Sequence, residues 1–486
     1  MRAGQVATQY KEKIFYKIPD NFMNAFIKIL TFGSATFSLI LILLFYYLNS
    51  FQSHYYIDEK FHVPQALRFC EGEFYEWDSK ITTLPGLYLF SAFLLGPLNL
   101  CTITNLRLIN VLCTYLNLFL SFQIIKCLNG RSKARTDNNL RRYKLYLIAW
   151  NITFFPPLFF WFFLYYTDIF SLNLILIMLL FHLYDKHKTA AFLGILSICV
   201  RQTNVAWVAF LGIDKCLTII DQITNKPRFT DTLNVLPCLR TLYKIFKAEK
   251  KRGTLHFLKF LQSTCKDIFP YTLALTSFII FIIYNKGIVV GDRTAHVPTF
   301  HLTQIFYFSL FVLCFSWPYL LPYLAKFVKQ VIYKNLISIS LLSFFLVLII
   351  HCNTLVHPYI LADNRHYSFY VWKNLMSRFA IFKYTLVPVY AFAMYAIFKS
   401  LNHLRLLSFV AYILCTCIVL VPQLLLEPRY FIIPYILCRV YQKEPNNWQI
   451  VAETLTTIFI NIAQFVLFIN KTFYWEDEKY PQRIGW

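Results

Sequence analysis

Residues 336–350, LISISLLSFFLVLII, run directly into residues 351–373, HCNTLVHPYILADNRHYSFYVWK, and this pairing sets the class of fold. The first segment carries no charge, and its second half, LLSFFLVLII, lacks the in–out alternation of a membrane-barrel strand. Backbone polar groups in lipid must be satisfied within their own segment, so the run reads as a helix. The second segment is where polar chemistry appears, with Asp363, Asn364, Arg365, His366 and Tyr367 in succession.

The same alternation of apolar run and polar loop recurs from end to end. Of the 486 residues, 58% are hydrophobic, 19% aromatic and only 15% charged, with a mean hydropathy of +0.51, which excludes a soluble domain with a polar exterior. The chain is predicted to be an all-α polytopic membrane protein with about 12 to 14 membrane helices, at about 20 apolar residues per span. No internal repeat is evident, and few charges are expected inside the spans.

A net charge of +23 would suit nucleic acid, but the Lys and Arg are concentrated between apolar runs, as the positive-inside rule describes, so no nucleic-acid partner is expected. The first run, Phe26–Leu48, is too long for a signal-peptide core and reads as a retained anchor with its N-terminus in the cytoplasm. Parity then places NGRSKARTDNNLRRYK (129–144) and the basic interval 215–266, with its KIFKAEKKR, on the cytoplasmic side. The interval 215–266 reads as a solvated loop near anionic lipid. Between the first outer loop and residue 129, parity permits one full crossing, although Pro85–Leu100 and Leu106–Leu128 are both apolar. The chain's end falls most simply on the outer side. The 13 Cys show no CxxC spacing and read as small core residues, with Cys70 and Cys352 standing out in polar loops.

The least hydrophobic of the early segments is HYYIDEKFHVPQALRFCEGEFYEWDSKITTLPGLYLFS, residues 54–91, which holds a quarter of the chain's 24 acids. Within it Phe61, Val63, Ala66, Leu67 and Phe69 fall mostly at helical spacing, predicting a short amphipathic helix at the membrane surface with Asp58 and Glu59 at its start. The later outer loops add Asp168, Arg201, Asp292, Arg293, His296, His301, Asp363 to Tyr367, Glu427 and Arg429. Carboxylates that accept a proton, beside Arg and His that absorb the charge of a phosphate leaving group, are the parts of a transferase or hydrolase. Trp77, Tyr367, Tyr370 and Trp372 flank the charges, either as sugar-stacking faces or as an interfacial aromatic belt. No GxGxxG, GxxxxGK[ST], HExxH or GxSxG accompanies them at these loops.

Four segments, DEKFHVPQALRFCEGEFYEWDSKITTLPGLYLFS, GDRTAHVPTFHLTQIFYF, LADNRHYSFYVWK and LEPRYFIIPY, resemble in order the endoplasmic-reticulum α-1,2-glucosyltransferase family. Its members use dolichyl-phosphate glucose to add the terminal glucose to a lipid-linked oligosaccharide, the last step in assembling the precursor for protein N-glycosylation. The resemblance implies one membrane domain over 1–486 with the C-type glycosyltransferase fold, residues 50–84 as first lumenal catalytic loop, and an active site facing the lumen. It implies an inverting reaction with Asp58 as general base ahead of Glu59, the other acid holding the acceptor hydroxyl or pairing with a cation. For the dolichyl phosphate it points to Arg365, His366 and Arg429, then Arg201 and Arg293; Asp363, Asn364, Tyr367, Asp168, Asp292 and Glu427 complete the substrate-binding set. No metal or other cofactor is implied. The rival reading, a channel-regulating or solute-transporting membrane protein, requires polar groups within the spans rather than gathered at one face.

Overall fold

The computed structural model describes residues 38–129, 138–224, 235–293 and 298–486; His296 and most of the Phe26–Leu48 run lie outside them. Among the described residues the regular structure is helical except for one antiparallel ladder, Thr472–Phe473 with Gln482–Arg483. The protein is an all-α polytopic membrane protein. Among the described residues five helices are long and apolar enough to cross a bilayer alone: Ile103–Asn129, Gln202–Ile223, Leu336–Asn353, Phe382–Leu401 and Asn447–Asn470. Three bent pairs bring the number to eight, and five further apolar helices are only 10–17 residues long.

Local sequence explains several breaks. Pro156 and Pro157 end the helix Asn138–Thr153, because proline offers no N–H to the preceding turn, and the chain resumes at 62°. The short helix Gly86–Leu95 gives way to a 3-10 turn, while Ile103–Asn129 runs 27 residues, so one of the two apolar segments after the acidic loop has the length of a full crossing. In Leu336–Asn353 only Leu346 and Ile350 are buried, and the remaining Leu, Ile and Phe present an apolar surface suited to lipid.

The core is centred on FFPPLFFWFFLYY, residues 154–166, every one of them buried. Around this aromatic block pack the helices Ile103–Asn129, Thr167–Leu183 and Asn447–Asn470. Two expectations change here. Cys70, at the end of the helix Glu59–Cys70, forms a disulfide with Cys101, just ahead of Ile103–Asn129. The bond ties the acidic helix to the long span, a link that single-chain spacing does not reveal. Buried charge is also more extensive than expected: Glu453 accepts from Arg439 Nε and Nη2, both at 2.8 Å, from Asn151 Nδ2 at 2.9 Å and from the Tyr319 hydroxyl.

Within the interval 215–266 the described residues 215–224 and 235–266 are largely helical. The interval continues the helix Val205–Ile223 and then forms two helices, Val235–Lys251 and Thr254–Cys265, that pack together.

Candidate active site

Asp58 stands at the start of the helix Glu59–Cys70, preceded by Ile57 with φ of 46°. A β-branched residue in the left-handed region costs roughly 1–2 kcal/mol, so the surrounding contacts must hold it there. They do so from the aromatic block. The Tyr166 hydroxyl donates to Tyr56 O at 2.9 Å and accepts from Asp58 N at 3.0 Å.

Glu59, the neighbouring acid, is fully buried and saturated. Its Oε1 accepts from Arg107 Nε (2.9 Å) and Tyr165 N (2.7 Å), its Oε2 from Arg107 Nη2 (2.6 Å) and Tyr56 N (2.9 Å). Arg107 also donates to Asn49 Oδ1 and to the carbonyls of Gln52 and His54. Glu59 therefore pairs with a cation and shapes the turn that presents Asp58. The signal for Arg107 was present in the sequence, as a charge near the start of the apolar run Leu106–Leu128, where the next charge is Lys126.

Asp58 keeps a third of its side-chain surface, 34%, exposed, and its Oδ2 accepts from Arg429 Nη2 at 2.9 Å. Arg429 spends Nε on Glu427 Oε1 at 2.6 Å and lies over the rings of Trp161 and Tyr166, 5.0 and 5.2 Å from their centroids. Burial pushes the Asp58 carboxyl up, but the positive charge and hydrogen bond of Arg429, with help from His62, outweigh it and leave Asp58 below the usual carboxylate range. His62 sits one turn along, its backbone N–H bonded to Asp58 O, and its ring Nδ1 meets the Tyr88 hydroxyl. Burial lowers the His62 imidazole despite the opposing pull of Asp58. Its i+4 spacing from Asp58 could have marked it from sequence.

Two more acid–arginine pairs face this cluster. Arg201 Nη1 donates to Asp168 Oδ1 at 2.5 Å, and Asp168 Oδ2, buried, has no hydrogen-bond partner among the described residues. Arg365 binds Asp363 through two hydrogen bonds, 2.9 and 2.7 Å, that draw that carboxyl below its ordinary range against the opposing effect of burial. Arg365 and the residues next to it are covered by a segment that sequence reasoning passed over, residues 471–486. Trp475 stacks on Arg365 at 4.5 Å and donates Nε1 to Asn364 Oδ1, Gln482 accepts from Arg365 Nη1, and Gly485 exchanges backbone hydrogen bonds with Arg365 and Tyr367. His366 Nδ1 lies 3.1 Å from Trp486 O, and the Tyr367 ring packs edge-on against Trp486, its buried hydroxyl without a hydrogen-bond partner among the described residues. The same segment reaches the acidic helix, where Glu478 pairs with Lys60. Residues 471–486 thus lie on the Asp58 side of the fold.

Other predicted residues stand apart. Arg293 donates to the carbonyls of Lys286 and Asn285, and the Asp292 backbone N–H bonds Ser79 O at 2.6 Å, so residues 291–293 strap onto the first loop. Gly291 is needed there, since a Cβ would meet Ser79 O at 2.3 Å and its φ is +67°. His301 is buried beside Gln304 and the Gln423 carbonyl. Among the described residues no group of three or more His, Cys, Asp or Glu is arranged to hold a metal ion.

Comparison with known proteins places this arrangement. The family described as the DIE2/ALG10 family matches residues 52–440. The chain belongs to the DIE2/ALG10 family. Relatives named Dol-P-Glc:Glc(2)Man(9)GlcNAc(2)-PP-Dol alpha-1,2-glucosyltransferase are 37% identical over 452 residues in Homo sapiens, 36% over 454 in Rattus norvegicus and 31% over 491 in Arabidopsis thaliana. Each alignment covers 89% of this chain and 93%, 93% and 94% of the respective relative. No solved structure matches. The DIE2/ALG10 match takes in Asp58, Asp168, Arg201, Asp363 to Tyr367 and Arg429, while the covering segment 471–486 lies outside it.

Proposed function

We propose that this protein transfers glucose from dolichyl-phosphate glucose to the diglucosylated lipid-linked oligosaccharide, forming an α-1,2 linkage, with Asp58 as the general base. The observation that carries the assignment of the base is the contrast between adjacent acids: all four hydrogen bonds to Glu59 come from the protein, whereas Asp58 is partly exposed at the mouth of the cluster. Asp58 accepts the proton of the acceptor's 2-hydroxyl as that oxygen attacks the anomeric carbon of the donor glucose. The carbon–oxygen bond to the phosphate breaks on the opposite face, and dolichyl phosphate departs with the electron pair. One displacement inverts a β-linked donor to an α product, without a covalent enzyme intermediate.

Arg429 keeps Asp58 ionised and ready to accept a proton. For the phosphate we assign Arg201 and His366, with Arg365 and Arg429 adding positive charge around it. Arg201 engages Asp168 through Nη1, and a guanidinium has further donors in a fork that matches phosphate oxygens. Trp475 and Asp363 hold Arg365 in place.

The fold we propose is the C-type glycosyltransferase fold with 12 to 14 crossings, the shorter and bent apolar helices supplying those beyond the five long ones. The Asp58 side faces the lumen of the endoplasmic reticulum. The Cys70–Cys101 disulfide on that side supports this, because disulfides persist in oxidising compartments.

The test is glucose transfer from synthetic dolichyl-phosphate glucose to a diglucosylated lipid-linked acceptor by purified protein and by Asp58→Asn at equal folded yield. Loss of about 10²–10⁴-fold in turnover with donor binding kept is expected for a missing general base. Full activity in the variant removes Asp58 from the role, and an inactive folded wild type overturns the transferase reading.

A further inference from the structure

The helices Val235–Lys251 and Thr254–Cys265 make a hairpin that takes no part in the cluster around Asp58. Between residues 235 and 266 there is one acid, Glu249, against eight Lys and Arg. Glu249 is already paired within the hairpin, with Arg252 at 3.0 Å and beside the His256 ring at 3.2 Å. Arg240, Lys244, Lys247 and Lys251 follow at i, i+4, i+7 and i+11, which aligns them in one stripe along the helix, and all four are exposed.

Beside the stripe, apolar side chains are left uncovered. Phe246 packs against Phe257 and Phe260 and closes the hairpin's inner face. On its outer faces Leu239, Tyr243, Leu255 and Leu258 are 56%, 65%, 68% and 61% exposed. A helix with exposed Leu and Tyr next to a row of cations is built for a charged interface with an apolar interior.

The place in the fold agrees. The helix Thr254–Cys265 meets the apolar helix Phe269–Asn285 at 73°, so it lies across the end of that helix rather than extending it. The other end of Phe269–Asn285 leads to Val290 and Asp292, which hydrogen-bond Thr82 and Ser79 of the acidic loop. The hairpin is therefore at the membrane face opposite the Asp58 cluster.

We propose that this hairpin is a peripheral anchor that lies on the leaflet opposite the active site and binds anionic phospholipid headgroups. The stripe Arg240, Lys244, Lys247 and Lys251 contacts the phosphates, and Leu239, Tyr243, Leu255 and Leu258 enter the acyl boundary. Each cation near an anionic surface strengthens such binding modestly and additively, and salt weakens it.

Hydrogen–deuterium exchange tests this on the full chain, reconstituted in discs of phosphatidylcholine alone or with phosphatidylserine mixed in. Amides over residues 239–265 should exchange about five-fold or more slowly in the phosphatidylserine discs, and high salt should remove most of the difference. The variant R240E/K244E/K247E/K251E should lose it. Equal exchange of the wild type in the two discs overturns the proposal, as does slowing that the charge-reversed variant retains. Slowing that requires an added acidic polypeptide rather than the lipid would also overturn it, assigning the face to a protein partner. The readout is independent of glucose transfer, so the outcome stands whatever the activity proves to be.

Discussion

Asp58–Arg429 and Glu453–Arg439 are both carboxylate–guanidinium pairs, held at 2.9 and 2.8 Å, and they do different work. Glu453 and Arg439 leave 5% and 2% of their side chains exposed, and Asn151, the Tyr319 hydroxyl and the Tyr319 ring fill the sites around them. Among the described residues Asp58 has one donor to its carboxylate, from Arg429, and a third of its side chain is open. A saturated buried pair has no bonding capacity left for a substrate and joins helices; an unsaturated pair at an opening retains capacity for chemistry. Glu59–Arg107 belongs with the first kind although it is one residue from Asp58.

The sharpest way to break the comparison is Glu453→Gln set against Asp58→Asn. The first should lower thermal stability by about 3–5 kcal/mol, since it leaves Arg439 buried with a weakened partner, while turnover per folded molecule is kept. The second should leave the melting midpoint close to wild type and abolish turnover; a Glu453→Gln protein of normal stability but no activity would collapse the distinction. Glu59→Gln should follow Glu453→Gln, measured in the same melting and transfer assays.

Cys70→Ser comes next in size. Release of the link to Cys101 should cost about 2–4 kcal/mol, read as a lower unfolding midpoint in non-reducing conditions, and wild type under reductant should fall to the same value.

A smaller effect separates tuning from structure. In Arg429→Gln the charge and hydrogen bond that depress Asp58 are lost, while burial, which raises it, remains. The base then stays protonated to higher pH, so the acid limb of kcat/KM should move to higher pH. An unmoved limb would mean that Arg429 does not govern Asp58. Smallest of all, Gly485→Ala should loosen the covering segment, because a Cβ would meet Phe160 Cζ and the Tyr56 hydroxyl at 2.5 Å. Faster proteolysis after Lys471 or Lys479, with Asp58 chemistry reduced only a few-fold, is the expected outcome.

The class of fold was legible in the linear sequence, and so was the collection of acids and arginines in the loops between apolar runs. Uncharged runs such as Leu341–Ile350 permit only helices in lipid, and the amphipathic spacing of Phe61, Ala66 and Phe69 marked the helix after Asp58. The sequence also brought Asp168, Arg201, Asp363 to Tyr367 and Arg429 to one side by counting crossings. Counting could not separate Arg293, which turns back to cap the carbonyls of Asn285 and Lys286, from Arg201, which faces the cluster. Only the tertiary structure separates the surroundings of Asp58 from those of Glu59, because two adjacent carboxylates have nearly the same intrinsic chemistry and differ through neighbours 371 and 48 positions away, Arg429 and Arg107. The Cys70–Cys101 link and the cover formed by Trp475 to Trp486 were decided there too. Hydrophobicity is a property of each segment and survives in one dimension; which group saturates which is set by long-range packing, and that exists only in the folded chain.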